Sequence, residues 1–312
     1  MYFLPKQPWR LLLFATIIAV LPFVFTTKFQ LSILVLVGIN AIVCVGLNLL
    51  VGNTGQISLG HAAFFGIGAY ANAILTGDHG WNAVGAASVG LVVSCTIAVA
   101  VGWPILRLKD NYLAMATLGV GLVIYLVLSH ELAITGGPDG RAVKSVVIGG
   151  TRLRGEATWY WIIAGALVVS VWMAENLSSS PWGLALRAIH ASEPASAAVG
   201  INVHTLKVAV FVFSAGLASF AGSLYAQAYA FVTPELSGFM HSVELIVMIV
   251  IGGLGSVYGG IIGAAIVVIL PQLLTAAKDY EQLIFGLMLI SIAFVMRQGL
   301  LPTIAGALGV RR

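Results

Sequence analysis

Gln30-Leu31-Ser32-Ile33-Leu34-Val35-Leu36-Val37-Gly38-Ile39-Asn40-Ala41-Ile42-Val43-Cys44-Val45-Gly46-Leu47-Asn48-Leu49-Leu50-Val51 is an apolar run without a single formal charge. A helix needs about 20 such residues to cross a hydrocarbon layer roughly 30 Å thick, so the run reads as a membrane span. Working outward, the pattern recurs at 11–27, 57–76, 83–106, 111–130, 158–175, 205–231, 242–254, 259–277 and 280–297. The 242–254 stretch is short and ends in glycine, the mark of a broken or re-entrant segment. The expected fold class is therefore an all-α integral membrane protein. It is read as one transmembrane domain, 1–312, a polytopic bundle of about ten helices, with eight or nine also compatible.

Composition agrees. The chain is 60% hydrophobic and 8% charged, against roughly 25% charged in soluble domains. Lipid tails accept that apolar surface, and water does not. The net charge of +4 comes from Lys and Arg scattered between apolar runs rather than gathered in a patch. Such charges orient a membrane protein, and no nucleic acid partner is expected. Cys44 and Cys95 both fall inside apolar runs and read as small buried residues. Lys6 and Arg10 before Leu11–Phe25 resemble a signal peptide, but no small-x-small cleavage site follows. A retained first helix is expected.

With ten spans and an inward N-terminus, one side holds Lys6, Arg10, Arg107, Lys109, Arg187, Lys207, Arg297, Arg311 and Arg312. The other holds Lys28, Arg141, Lys144, Arg152, Arg154 and Lys278. The positive-inside rule then favours both termini in the cytoplasm. Two hydrophilic segments interrupt the pattern: 131–157, outward by parity and carrying the turn cluster Thr135–Gly140, and 176–204, inward. Ser58, Gly60, Ala62, Phe64 and Gly66 recur as Ser214, Gly216, Ala218, Phe220 and Gly222, at an offset of half the 312-residue chain. This echo is either a duplication, as in many transporters, or coincidence among 36 glycines. Parity points both segments the same way, whereas an inverted repeat needs opposite directions.

Several chemistries are excluded. There is no phosphate-binding G-x-x-x-x-G-K-[ST] loop, so this chain has no ATP cradle of its own and no cofactor is expected in it. His130-Glu131 opens like a zinc-protease helix, but position 134 is Ile134. No G-x-S-x-G turn occurs. Intramembrane acids, the relays of ion-coupled carriers, are nearly absent: Glu244 lies within an apolar span and Glu281 near the end of another. The chain reads as neither an enzyme nor a self-sufficient carrier.

The inward segment carries the most information. In Pro181-Trp182-Gly183-Leu184-Ala185-Leu186-Arg187-Ala188-Ile189-His190-Ala191-Ser192-Glu193-Pro194-Ala195-Ser196-Ala197-Ala198-Val199-Gly200-Ile201-Asn202, Ser192 or Glu193 can cap a helix that takes Pro194 in its first turn. Gly200 supplies a left-handed ending, which leaves about two turns, roughly 10 Å long. A short small-residue helix there suits a partner's groove, or else the segment is a solvated connector.

This segment resembles the EAA loop of bacterial ABC importer permeases, with Glu193, Ala195 and Gly200 on the motif's acidic, alanine and glycine positions. Pro194 replaces the first alanine, the Glu-to-Gly spacing is one longer, and the closing Ile-x-Leu-Pro is missing. Those departures resemble the LivM type of the LivH/LivM family of branched-chain amino acid permeases. So do Gly46–Gly52 running into Gly60–Tyr70, the Thr135–Gly140 turn, and Gly252–Gly260; the resemblance covers about 35 to 295. It implies a pore-forming subunit in the bacterial inner membrane, paired with a LivH-like second permease, two cytoplasmic ATPase subunits and a periplasmic substrate-binding protein. It also implies that the 193–200 helix couples to the ATPase. Arg187 is either an ATPase contact or an orienting charge. Branched-chain amino acids are the implied solute, with urea and other small solutes as alternatives.

Two residue sets remain. Asn48, Gln56, Ser58 and His61, among the polar residues of 48–72, are candidates for a solute path, because uncharged donors and acceptors replace hydration without trapping a zwitterion. Their alternative role is hydrogen bonding between helices. Gly255, Gly259 and Gly263, and likewise Ala218 and Gly222, repeat at four-residue spacing and let helix backbones approach closely.

Overall fold

The computed structural model describes residues 8–273, apart from 109, 145–146, 149–150 and 153–154, together with residue 286. The span expected at 280–297, the end of that at 259–277, Glu281, both termini and the charges Lys6, Lys109, Arg154, Lys278, Arg297, Arg311 and Arg312 lie outside the described residues.

The chain runs through α1 (Pro8–Val24), α2 (Lys28–Thr54), α3 (His61–Gly77), α4 (Ala83–Ile105), α5 (Asp110–His130), the single turn α6 (Leu132–Thr135), and two-residue strands β1 (Arg141–Ala142), β2 (Val147–Ile148) and β3 (Thr151–Arg152). It continues with α7 (Glu156–Ser179), α8 (Pro181–Ala191), α9 (Glu193–Ala198), α10 (Val203–Tyr229), β4 (Phe231–Val232), α11 (Phe239–Gly252) and α12 (Val257–Leu273). Among the described residues, five helices (α2, α4, α5, α7 and α10) are long and apolar enough to cross a membrane, or six if α11 and α12 form one broken span. The protein is an all-α, multi-pass membrane protein.

The opening run became the central helix. Thr27 and Gln30 close a reciprocal capping box at its start, and Gly55, at φ +71°, ends it in a left-handed turn. Nearly every side chain from Val35 to Thr54 is buried, because α7, α10, α11 and α12 surround it. Helices α4 and α5 are also apolar enough to span but mostly exposed, with Val84, Val92, Tyr112, Met115 and Val123 facing outward. Hydropathy cannot separate the two environments, since lipid and protein interior are both apolar.

Small residues bring α3 and α10 together. A side chain on Gly68 would place its Cβ 1.9 Å from the Ser219 carbonyl oxygen, and one on Gly222 would reach the Phe65 carbonyl at 1.9 Å. Ser223 donates to the Gly68 carbonyl at 3.0 Å, and Gln227 to Asn72 at 2.5 Å. Partner numbers rise together along the two helices, so they run parallel, the direction that parity gave for the echoed segments.

Chain direction gives the bundle two ends. At one lie α8, α9, the close of α2 and the exposed Trp9, Trp103 and Trp182; at the other lie the exposed Trp81 and Trp161. Tryptophan at both ends suits the two membrane interfaces. At the second end β1 pairs antiparallel with β4 (Arg141 with Val232). Arg141 also pairs with Asp78, and Lys144 donates to the Gly77 carbonyl at 2.6 Å. The 131–157 segment is thereby tied to the ends of α3 and α10.

Four expectations need correction. The third helix starts at His61 rather than 57, because 55–60 is irregular after Gly55. At 17 residues it is about 25 Å long, and its first residue is already fully buried beside Ser214 of α10. It thus begins inside the bundle. The first helix runs Pro8–Val24, not 11–27, since residues 25–27 are non-helical. The 176–204 segment holds a second helix, α8, capped by Ser180 and entered through Pro181. Finally, Gly255 lies off the helix face assigned to it, in the break 253–256, at φ +77°. Gly259 and Gly263 do form the close contact, against backbone of Gly252 and Met248.

Candidate functional site

At the first end α8 and α9 form a compact angled unit. Leu186 and Ile189, three residues apart, bury one face of α8, while Trp182 and Leu184 are left exposed. Arg187 donates to the Ser178 carbonyl at 3.0 Å, closing the end of α7, a favourable place for a cation. Ser192 caps α9 through the Ala195 N–H at 3.3 Å, and Pro194 sits in the first turn. At its other end Gly200 N–H reaches the Ala197 carbonyl at 3.0 Å and Ile201 N–H the Ser196 carbonyl at 3.1 Å, with Gly200 at φ +87°. That is a Schellman ending, which only glycine enters without strain. Six residues at about 1.5 Å each make α9 a 9 Å stub. Ala195 lies exposed upon it, as do Pro194 and Val199.

Two side chains fasten this unit to the bundle. Glu193 forms an ion pair with Lys207, whose own side chain is almost fully buried in the first turns of α10. His190 donates from Nδ1 to the Gly52 carbonyl at 3.0 Å, satisfying one of the carbonyls that the end of α2 leaves open. Lys207 read as an orienting charge in the sequence, and His190 carried no signal; neither partner is near in sequence. Around these contacts lies a cavity of about 530 Å³ lined by Thr54, Gln56, Asn111, His190, Glu193 and Lys207.

The four path candidates do not share one environment. His61 is fully buried and bridges two hydroxyls, Ser58 at 2.8 Å and Ser214 at 2.8 Å. The edges of Phe64 and Phe211 meet its ring. Asn48 spans the α11–α12 break: its amide donates to the carbonyls of Gly253 (3.1 Å) and Ser256 (2.7 Å) and accepts from Gly255 N–H (2.7 Å). Gln56 lines the cavity just described.

A second cavity, about 610 Å³, is bounded by Asn40, Phe65, Glu235, His241, Glu244 and Met248. Glu235 and Glu244 are exposed, and His241 joins Asn40 at 3.4 Å. In chain order the His61 bridge falls between Gln56 of one cavity and Phe65 of the other. Polar and acidic groups over an apolar floor can hold a small zwitterion with an aliphatic side chain.

Residues 29–293 match the family described as branched-chain amino acid transport system, permease component. The LivM permease protein of the high-affinity branched-chain amino acid transport system of Salmonella typhimurium is 30% identical, across 95% of this chain and 75% of that protein. Its counterpart from Escherichia coli is 29% identical, across 85% and 68% respectively. A probable LivM permease of Methanocaldococcus jannaschii is 25% identical over 39% of this chain and 35% of its own length. No solved structure matches. With the match extending over most of its length, the chain belongs to the family of permease components of branched-chain amino acid transport systems.

Proposed function

We propose that this chain supplies half of the translocation pathway of an ATP-driven importer in the bacterial inner membrane, with both termini cytoplasmic. The other half is a LivH-like permease; two cytoplasmic ATPase subunits supply the energy, and a periplasmic binding protein delivers the solute. The solute is a branched-chain amino acid, with urea or another small solute as the alternative within the family. ATP binding closes the ATPase pair, which displaces α9 as a rigid lever and switches access between the two faces by rigid-body movement.

One observation carries this reading: α9 is capped at both ends, presents an exposed surface, and is tied by Glu193 to buried Lys207 at the base of α10. A mere connector needs no such rigidity. The test is co-purification with the partner subunits, followed by ATP-dependent uptake into vesicles. Glu193→Ala and Gly200→Leu should uncouple hydrolysis from uptake without preventing membrane insertion. Normal transport by both variants, or uptake by the isolated chain without any ATPase, refutes the proposal.

A further inference from the structure

We infer that displacement of the α8–α9 unit is passed through His190 and the Gly52 turn to the α11–α12 break, which acts as a hinge. The inference rests on the importer reading above and says where the lever's movement goes.

The contacts form an unbroken mechanical series. His190, next to the end of α8, holds the Gly52 carbonyl at 3.0 Å. Its ring also lies on the left-handed Gly55, where a Cβ would come within 3.2 Å of Cδ2. On its other side Gly52 abuts the break. A Cβ there would lie 2.1 Å from Gly255 N and 2.5 Å from Gly255 Cα. One residue is therefore touched by α8 on one flank and by the break on the other, with Asn48 Oδ1, which holds Gly255 N–H, 2.8 Å from the same Cβ position. Backbone in direct contact passes a displacement on, because no gap lies between to take it up.

The break itself is a glycine turn, with its two arms in contact beside it at Gly252 and Gly259. Gly253 (φ +115°) and Gly255 (φ +77°) occupy conformations that glycine adopts freely, and α11 and α12 diverge there by 119°. Asn48, one turn before Gly52, bonds to Gly253, Gly255 and Ser256 and so fixes the break in its present setting. Further along α11, His241, Glu244 and Met248 border the 610 Å³ cavity. Turning α11 about the break moves that wall. The Glu193–Lys207 pair leads elsewhere, to α10. Hinges of this sort are a few element-terminal residues that take up the backbone change. If His190 only capped α2, its loss would weaken folding and leave nucleotide response at the break intact.

The experiment uses the complete complex in lipid nanodiscs, with spin labels at two exposed sites: Val199 beside α9 and Leu254 in the break, each measured against Trp103 on α4. In the unsubstituted complex, trapping with ATP and vanadate should shift both distances. In His190→Leu the Val199 shift should persist, the Leu254 shift should vanish, and uptake per ATP hydrolysed should fall about fivefold, as expected for losing one hydrogen bond. His190→Gln, which keeps an N–H donor, should restore most of both. An undiminished Leu254 shift in His190→Leu overturns the inference while leaving the importer reading in place. If Val199 fails to move in the unsubstituted complex, the importer reading falls and the hinge with it. Should His190→Leu not assemble, Asn48→Ser replaces it. That variant should broaden the Leu254 distance even without nucleotide, and an unchanged narrow distribution refutes the hinge.

Discussion

The Glu193–Lys207 pair is unequal, and that inequality yields a sharp prediction. The Lys207 side chain is 5% exposed and that of Glu193 37%. Glu193→Gln removes the anion and leaves an ammonium group where water scarcely reaches. Stranding one member of a buried pair costs about 3–5 kcal/mol; with the carboxylate end more than a third open to solvent, about 2 kcal/mol is the reasonable figure here. Lys207→Met instead keeps the aliphatic volume and leaves a carboxylate that solvent can hydrate, at a cost under about 1 kcal/mol. The double variant should resemble Lys207→Met alone, because no unpaired buried charge remains. Unfolding of the purified protein in detergent, followed by heat or denaturant, gives the four stabilities of the cycle. The expected order of destabilisation is Glu193→Gln first, then Lys207→Met and the double variant together. If Lys207→Met proves the more damaging single change, or the two effects simply add, the pair is not working as the geometry requires.

Other outcomes follow from packing and caps. Gly68→Ala and Gly222→Ala each force a methyl group against a carbonyl oxygen 1.9 Å away and should cost at least about 1–3 kcal/mol. Gly165→Ala, with nothing within 4 Å, should be neutral or slightly stabilising in the same unfolding assay. Gly200→Leu meets no neighbour but must hold φ +87°, which costs about 1–2 kcal/mol. It should fray α9, read as faster backbone hydrogen exchange at 195–199 with the bundle unchanged. Asn48→Leu strands the three backbone groups of Gly253, Gly255 and Ser256 that its amide serves. The buried Gly253 carbonyl carries the full cost of about 1–3 kcal/mol for an unpaired group, and the half-buried Ser256 carbonyl and exposed Gly255 N–H carry less; the sum should still exceed the loss in His61→Leu, whose two stranded hydroxyls can turn to other acceptors. A larger loss in His61→Leu would contradict this account.

Much of the site was legible locally. The Ser192 cap, Pro194 in the first turn and the Gly200 ending are decided within ten residues of backbone, so sequence suffices to place α9. The break near Gly253 announced itself for the same reason, a glycine-ended apolar segment too short to cross. The anchors were hidden: His190 meets Gly52 across 138 positions and Asn48 meets Gly255 across 207, and nothing in either local sequence names its partner. Gly255 looked like part of a helix stripe because four-residue spacing continues through a turn as readily as along a helix.

By itself the sequence determined the solvent, the helical content and the capped helix α9, because each depends on composition or on neighbours along the chain. Only the tertiary structure decided which apolar helix is central and which faces outward, since α2 and α5 are both apolar enough to cross a membrane. It likewise decided that α3 starts within the bundle, that His61 joins two hydroxyls, and that Gly52 lies between α8 and the break. Those facts depend on which distant backbones come within a few ångströms, a matter settled by packing of small residues rather than by hydropathy.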